Sequence, residues 1–216
     1  MKNILLTTLL LGAGTCLSQA AIELNFYNSY DLNESSITFK NNAGTAFAGP
    51  GVVAVGWFDE DPNFTQELSI RDQFKSFWTW NAATEAGSGY TYFNSVNDFA
   101  VAGTADGFGS AEGKKLYAFV GSGTSVSASN EFAVLSFKSA EDEALSLTSA
   151  QFPSDLALAD NDWLSDNEFA TWVLELGSVQ GTDTILFAAI PEPSVFGLFA
   201  GLCALSFVAS RRTKKH

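Results

Sequence analysis

Apolar and polar positions alternate with a period of two over several short stretches of the chain. Ile22-Glu23-Leu24-Asn25-Phe26-Tyr27 is one and Ser36-Ile37-Thr38-Phe39-Lys40 another. Such alternation predicts strands with one face turned inward. Residues 51–58 (GVVAVGWF) form a continuous apolar run, as expected of a strand covered on both faces. Further strands are predicted over residues 98–102, 115–120, 131–138, 170–176 and 183–189. Turn-forming clusters separate them, among them Asn41-Asn42-Ala43-Gly44, Gly49-Pro50-Gly51 and Gly121-Ser122-Gly123. Many short strands punctuated this way predict an all-β fold: a single β-sandwich or jelly-roll-like domain with one or two short helices.

One segment departs from period two. Over residues 65–77, Leu68, Ile70, Phe74 and Phe77 fall near helical spacing, with Thr65 as N-cap and Glu67 in the first turn. A helix is expected there, and a weaker one over residues 139–150.

Both ends have a different character. Met1-Lys2-Asn3 is a short positive start, and residues 4–13 are apolar. Ser18-Gln19-Ala20 then places small residues where a signal peptidase reads them. This predicts a signal peptide over residues 1–20, helical in its apolar part and cut after Ala20. Cys16 lacks the preceding leucine of a lipoprotein signal and is read as part of the discarded segment. At the other end, Pro191-Glu192-Pro193-Ser194 precedes an apolar run over residues 195–210, followed by a basic tail over 211–216. Sixteen residues make a helix of roughly 24 Å against a hydrocarbon core of about 30 Å, short for a transmembrane helix but able to span with snorkelling flanks. Arg211, Arg212, Lys214 and Lys215 would hold the C-terminus in the cytoplasm and leave residues 21–190 outside as the extracytoplasmic domain.

Composition narrows the chemistry of that domain. The chain's two cysteines are Cys16 and Cys203, and its one histidine is His216, so residues 21–190 contain neither type. A Ser-His-Asp triad, a Cys-His nucleophile and a Cys/His zinc site are excluded there, and packing must replace disulfides. The same span holds six basic residues against 23 acids, a net charge of −17. Nucleic acid is a poor partner for that field, whereas calcium or a neutral sugar is compatible with it.

The remaining candidates are acids and aromatics. Asp160, Asp162, Asp166 and Glu168 are spaced so that a turning loop can bring carboxylates to one calcium ion, though not in the EF-hand pattern. Asp59, Glu60 and Asp61 form a second, weaker set of the same kind. Acidic loops on a soluble surface produce such clusters without any ion. No catalytic residue stands out. A carboxylate-based glycoside hydrolase needs two acids in differently tuned environments, and nothing in the pattern supplies them. Trp80 and Tyr92, flanked by polar residues and glycine, are the candidates for an exposed sugar-stacking platform; core filling is the competing use of such rings. The glycines of residues 103–113 do not match a phosphate loop.

Pro191-Glu192-Pro193, the adjoining apolar helix and the Arg211-Arg212 cluster resemble the PEP-CTERM sorting signal of Gram-negative bacteria. The resemblance covers residues 191–216. It implies processing by exosortase, a membrane cysteine protease-transpeptidase, after a transient stay in the inner membrane. It also implies delivery to the cell surface or the extracellular polysaccharide matrix. The chain is thus expected to be an exported, non-enzymatic surface or biofilm-matrix protein, with a carbohydrate-binding module as the alternative. No cofactor is expected apart from calcium.

Overall fold

The computed structural model describes residues 22–28, 37–47, 49, 51–81, 92–105, 107–138, 146, 148, 155–157, 171–181 and 183–190. The two terminal segments, and with them the expected signal peptide and sorting tail, lie outside the described residues. Most of residues 139–150, where a second helix was expected, lie outside them too.

The described fold is all-β with one short helix. In chain order the strands are β1 (Ile22–Tyr27), β2 (Thr38–Lys40), β3 (Val52–Trp57), β4 (Lys75–Asn81), β5 (Tyr92–Ser95), β6 (Asp98–Ala105), β7 (Tyr117–Gly121), β8 (Glu131–Lys138), β9 (Asp155–Ala157), β10 (Thr171–Leu176), β11 (Ser178–Gln180), β12 (Thr184–Leu186) and β13 (Ala188–Ala189). Helix α1 (Glu67–Gln73) lies between β3 and β4, and a single 3₁₀ turn, Gly109–Ala111, lies between β6 and β7.

Three sheets are built from these strands. The largest runs β10-β8-β7-β3-β4 in antiparallel pairs, with β13 also paired to β8. A second runs β5-β6-β1-β9 and a third β11-β12-β2. Two of the pairings, β1 with β9 and β12 with β2, are parallel.

Alternation along the large sheet sends its side chains into two separate cores. Val53, Val55, Trp57, Ala118, Val120, Ala133, Leu135 and Phe137 enter the first. They meet Leu24 and Phe26 of β1, Phe93 of β5, Phe99 and Val101 of β6, Phe39 of β2 and Ile185 of β12, so all three sheets share this interior. The opposite face of the large sheet contributes Val52, Ala54, Tyr117, Phe119, Phe132, Val134 and Leu176 to the second core, which Ile70 and Phe74 close from the α1 side. This two-sided burial accounts for the unbroken apolar run of β3: every residue of that strand is buried. Each large side chain removed from water contributes about 1.5–3 kcal/mol, which is how a body without disulfides is held together.

Helix α1 is shorter than its spacing predicts. It starts after Gln66, not Thr65, and Gln66 makes no side-chain cap bond. Asn63 instead receives the Thr65 amide and hydroxyl on Oδ1, at 3.1 and 2.8 Å. The helix ends at Phe74, whose extended backbone leads directly into β4, so Phe77 belongs to a strand. Leu68, read as an inward position, is 49 % exposed.

One buried polar side chain ties the first core to its loops. Asn28, 2 % exposed, donates through Nδ2 to the carbonyls of Ile37 and Val96 at 3.2 and 3.3 Å. Its Oδ1 accepts from the Phe99 amide at 2.9 Å. The segment after β1, the approach to β2 at Ile37 and the β5–β6 turn at Val96–Phe99 thus share one amide group.

Candidate functional site

Pairing of β3 with β4 on one side and β7 on the other gathers charged residues at one end of the large sheet. The chain leaves β3 through Phe58 into Asp59, Glu60 and Asp61. β4 begins with Lys75, and Lys114 and Lys115 precede β7. Lys75 Nζ donates to Asp59 Oδ2 at 2.6 Å, and the Trp57 indole N–H donates to Asp59 Oδ1 at 3.3 Å. Lys114 Nζ donates to the Asp59 carbonyl at 2.6 Å, and Lys115 Nζ to Asp61 Oδ1 at 2.9 Å. Three of the six basic residues of the −17 body therefore sit on its first acidic cluster. A cavity of about 270 Å³ lies among these groups, with Tyr117 and Phe58 in its wall.

Electrostatics define what this arrangement can do. The hydrogen bond from Lys75 holds the Asp59 carboxyl below the usual carboxylate range. Desolvation opposes it, while the Lys75 charge, the Trp57 bond and the Lys114 charge add to it. A general acid needs the opposite displacement, so Asp59 is unsuited to that role. A calcium ion at Asp59 and Asp61 would have to compete with the Lys75 and Lys115 ammonium groups already bonded to them. The side chains of Lys75, Asp59, Lys115 and Asp61 are half or more exposed, so solvent screens these pairs and their contribution to stability is small.

Tyr117 is the strongly perturbed group here. Burial, with help from the negative charges of Glu175 and Asp61, pushes its phenol up to about 12. A raised folded-state value means that the native protein holds the phenol proton more tightly than the unfolded chain does. The resulting stability is complete below pH 10 and is lost as pH rises through about 12. The Tyr117→Phe protein should therefore lack this alkaline loss. In urea unfolding followed between pH 9 and 12.5, the stability difference between wild type and Tyr117→Phe should fall as pH rises, by at most about 3 kcal/mol. Parallel pH curves for the two proteins would show that Tyr117 titrates normally.

The other predicted positions fall as follows. Trp80 is 6 % exposed and packs in the first core, so it offers no face to a sugar and its reading as an exposed platform is corrected. The cause is register: Trp80 lies opposite Val53, and both side chains enter the same core. Tyr92 pairs with Ala100 in β5; its side chain lies outside what the structure describes. Asp160, Asp162, Asp166 and Glu168 lie outside the described residues, as do Pro191, Glu192, Pro193, Ser194, Arg211 and Arg212. Among the described residues no three His, Cys, Asp or Glu side chains group around a potential metal position. Among them, too, no helix is long and apolar enough to cross a membrane.

The lysine cap on Asp59 and Asp61 was not anticipated from sequence. Its partners are 16, 54 and 55 residues apart, and only strand pairing brings them together. Comparison with protein-family models, with curated proteins and with solved structures finds no match for this chain.

Proposed function

We propose that this chain is an exported, non-enzymatic protein of the cell surface or extracellular matrix, processed through a PEP-CTERM-type tail. The observation that carries the proposal is the three-part layout of the last 26 residues: Pro191-Glu192-Pro193-Ser194, a membrane-length apolar segment and Arg211-Arg212. Proline biases the residue before it toward extended backbone, which suits entry to a processing enzyme's cleft, and the arginines oppose translocation of the C-terminus. The signal-like N-terminus supports the same orientation. The partner is an exosortase-type membrane enzyme, and the destination is the polysaccharide matrix or the cell surface.

For the body we propose a sandwich-type arrangement. Its support is the first core, into which strands of the large sheet and of the two smaller sheets all send side chains. The parallel β1–β9 and β12–β2 pairs weigh against the antiparallel jelly-roll variant. Trp80 is buried and cannot stack on a carbohydrate.

The test is processing in a host that carries the sorting enzyme. Glu192→Ala and the double substitution Arg211→Ala/Arg212→Ala should each leave a full-length precursor in the inner-membrane fraction, seen by immunoblot. The unaltered chain should be shortened and released to the surface. Normal maturation of both variants would refute the sorting assignment.

A further inference from the structure

A second groove, on the α1 side of the large sheet, has a volume of about 450 Å³, lies open to solvent and has no part in the charged cluster. Ligand clefts typically have about 300–1,000 Å³, so there is room here for a small molecule bound at the surface. Three elements converge on it. Helix α1 and the residue that ends it contribute Arg71, Asp72 and Phe74; β4 contributes Ser76 and Thr79; the β7–β8 connection contributes Ser125 and Ser127.

The groove is formed by internally bonded parts. In the β7–β8 connection, Ser129 Oγ donates to the Ser125 carbonyl at 2.9 Å and accepts from the Gly123 amide at 3.0 Å. The Ala128 amide donates to Ser125 Oγ at 3.2 Å, and Val126 packs against the second core. Arg71 is fixed at two points: Nε bonds Asp72 Oδ1 at 3.0 Å, and Nη1 donates to the Ser129 carbonyl at 3.4 Å. Its Nη2 makes no bond among the described residues. The guanidinium is thus oriented by the helix and the loop together, with donors to spare.

We infer that this groove binds a neutral saccharide. Arg71 supplies donors and Asp72, beside it, supplies acceptors, and such a pair matches two adjacent hydroxyls of a sugar ring. Ser76, Thr79, Ser125 and Ser127 add hydroxyls that can act in either sense. Val126, partly exposed at the groove, offers a small apolar surface to the C–H face of the ring. The local charges of Arg71 and Asp72 cancel, and the body's net −17 repels anions, so an acidic sugar or phosphate is disfavoured. A peptide also carries donors and acceptors, but it lacks the paired hydroxyls that the Arg71–Asp72 pair fits.

The experiment uses the full chain purified in detergent, with neutral oligosaccharides of glucose, galactose and mannose, an oligoglucuronate and inorganic phosphate as probes. Saturation-transfer NMR and calorimetric titration are the readouts. At least one neutral oligosaccharide should bind, and Arg71→Met should weaken it by about tenfold. Ser127→Trp, at an exposed position, should block the groove while leaving the fold intact; it keeps the test decisive if Arg71→Met unfolds. Binding by oligoglucuronate or phosphate alone, binding by no probe, or neutral-sugar binding that survives Ser127→Trp would each overturn the inference. It stands apart from the sorting proposal: failed glycan binding with Glu192-dependent processing intact removes the groove alone.

Discussion

Phe119→Ala should cost about 3–5 kcal/mol of stability, the range for truncating a buried phenylalanine. Phe119 is fully buried in β7 and connects two parts of the second core. Its ring stacks on Phe132 of β8 at 4.7 Å between centroids, 18° from parallel, and it contacts Phe74 at 5.5 Å. Removing it leaves a void between the sheet and the segment that closes it, and that void cannot refill with water at low cost. A urea unfolding curve should show a large fall in midpoint with little change in slope. Hydrogen exchange should report the α1 amides opening first, because Phe74 loses its neighbour there. Phe119→Leu, which keeps most of the volume, should cost less than about 1.5 kcal/mol. A loss below about 1 kcal/mol for Phe119→Ala would mean that the second core does not hold the helix side of the molecule.

The second large effect is expected at Gly56. A Cβ at this position would clash with the Lys75 carbonyl oxygen and lie 2.8 Å from Ser76 Cα, both backbone atoms. The pairing of β3 with β4 shifts register between Val55 and Gly56, and the strands approach closely at that point. Gly56→Ala must therefore push β4 away from β3. That strains the ladder that carries Trp80 into the first core and Lys75 onto Asp59. Gly56→Ala should cost about 3 kcal/mol, measured by the same urea unfolding. Val179→Thr, on the exposed strand β11, serves as a control and should stay within about 0.5 kcal/mol. If Gly56→Ala matched that control, the close approach of the two strands would be refuted.

Much of the strand content was legible because alternation and burial have the same physical origin. Residues 131–138 become β8 over the same span, 22–27 become β1, and the apolar run at 51–58 becomes the fully buried β3. Strand β4 was hidden because Phe74 and Phe77 extend the helical spacing of Ile70 across a boundary that local pattern does not mark. The helix stops where hydrogen bonding to β3 becomes available. Trp80 illustrates a related limit. Its polar neighbours suggest exposure, but which face a strand residue takes is decided by the strand opposite it.

The candidate chemistry was legible in part. The acidic cluster after β3 was visible as a cluster, but its neutralisation was not, because Lys114 and Lys115 reach it only through the β3–β7 pairing. The Arg71 groove left no sequence signal for the same reason: α1, β4 and the β7–β8 connection meet only in three dimensions. The exclusion of histidine- and cysteine-based catalysis needed no folding at all, since composition alone decides it.

Asn28 joins the segments at Ile37 and at Val96–Phe99 in the first core, a role that a disulfide fills in other proteins. Hydrogen bonds of this kind need no oxidant to form and no isomerase to correct. With no cysteine between residues 21 and 190, the folded body should be as stable with a thiol reductant present as without it.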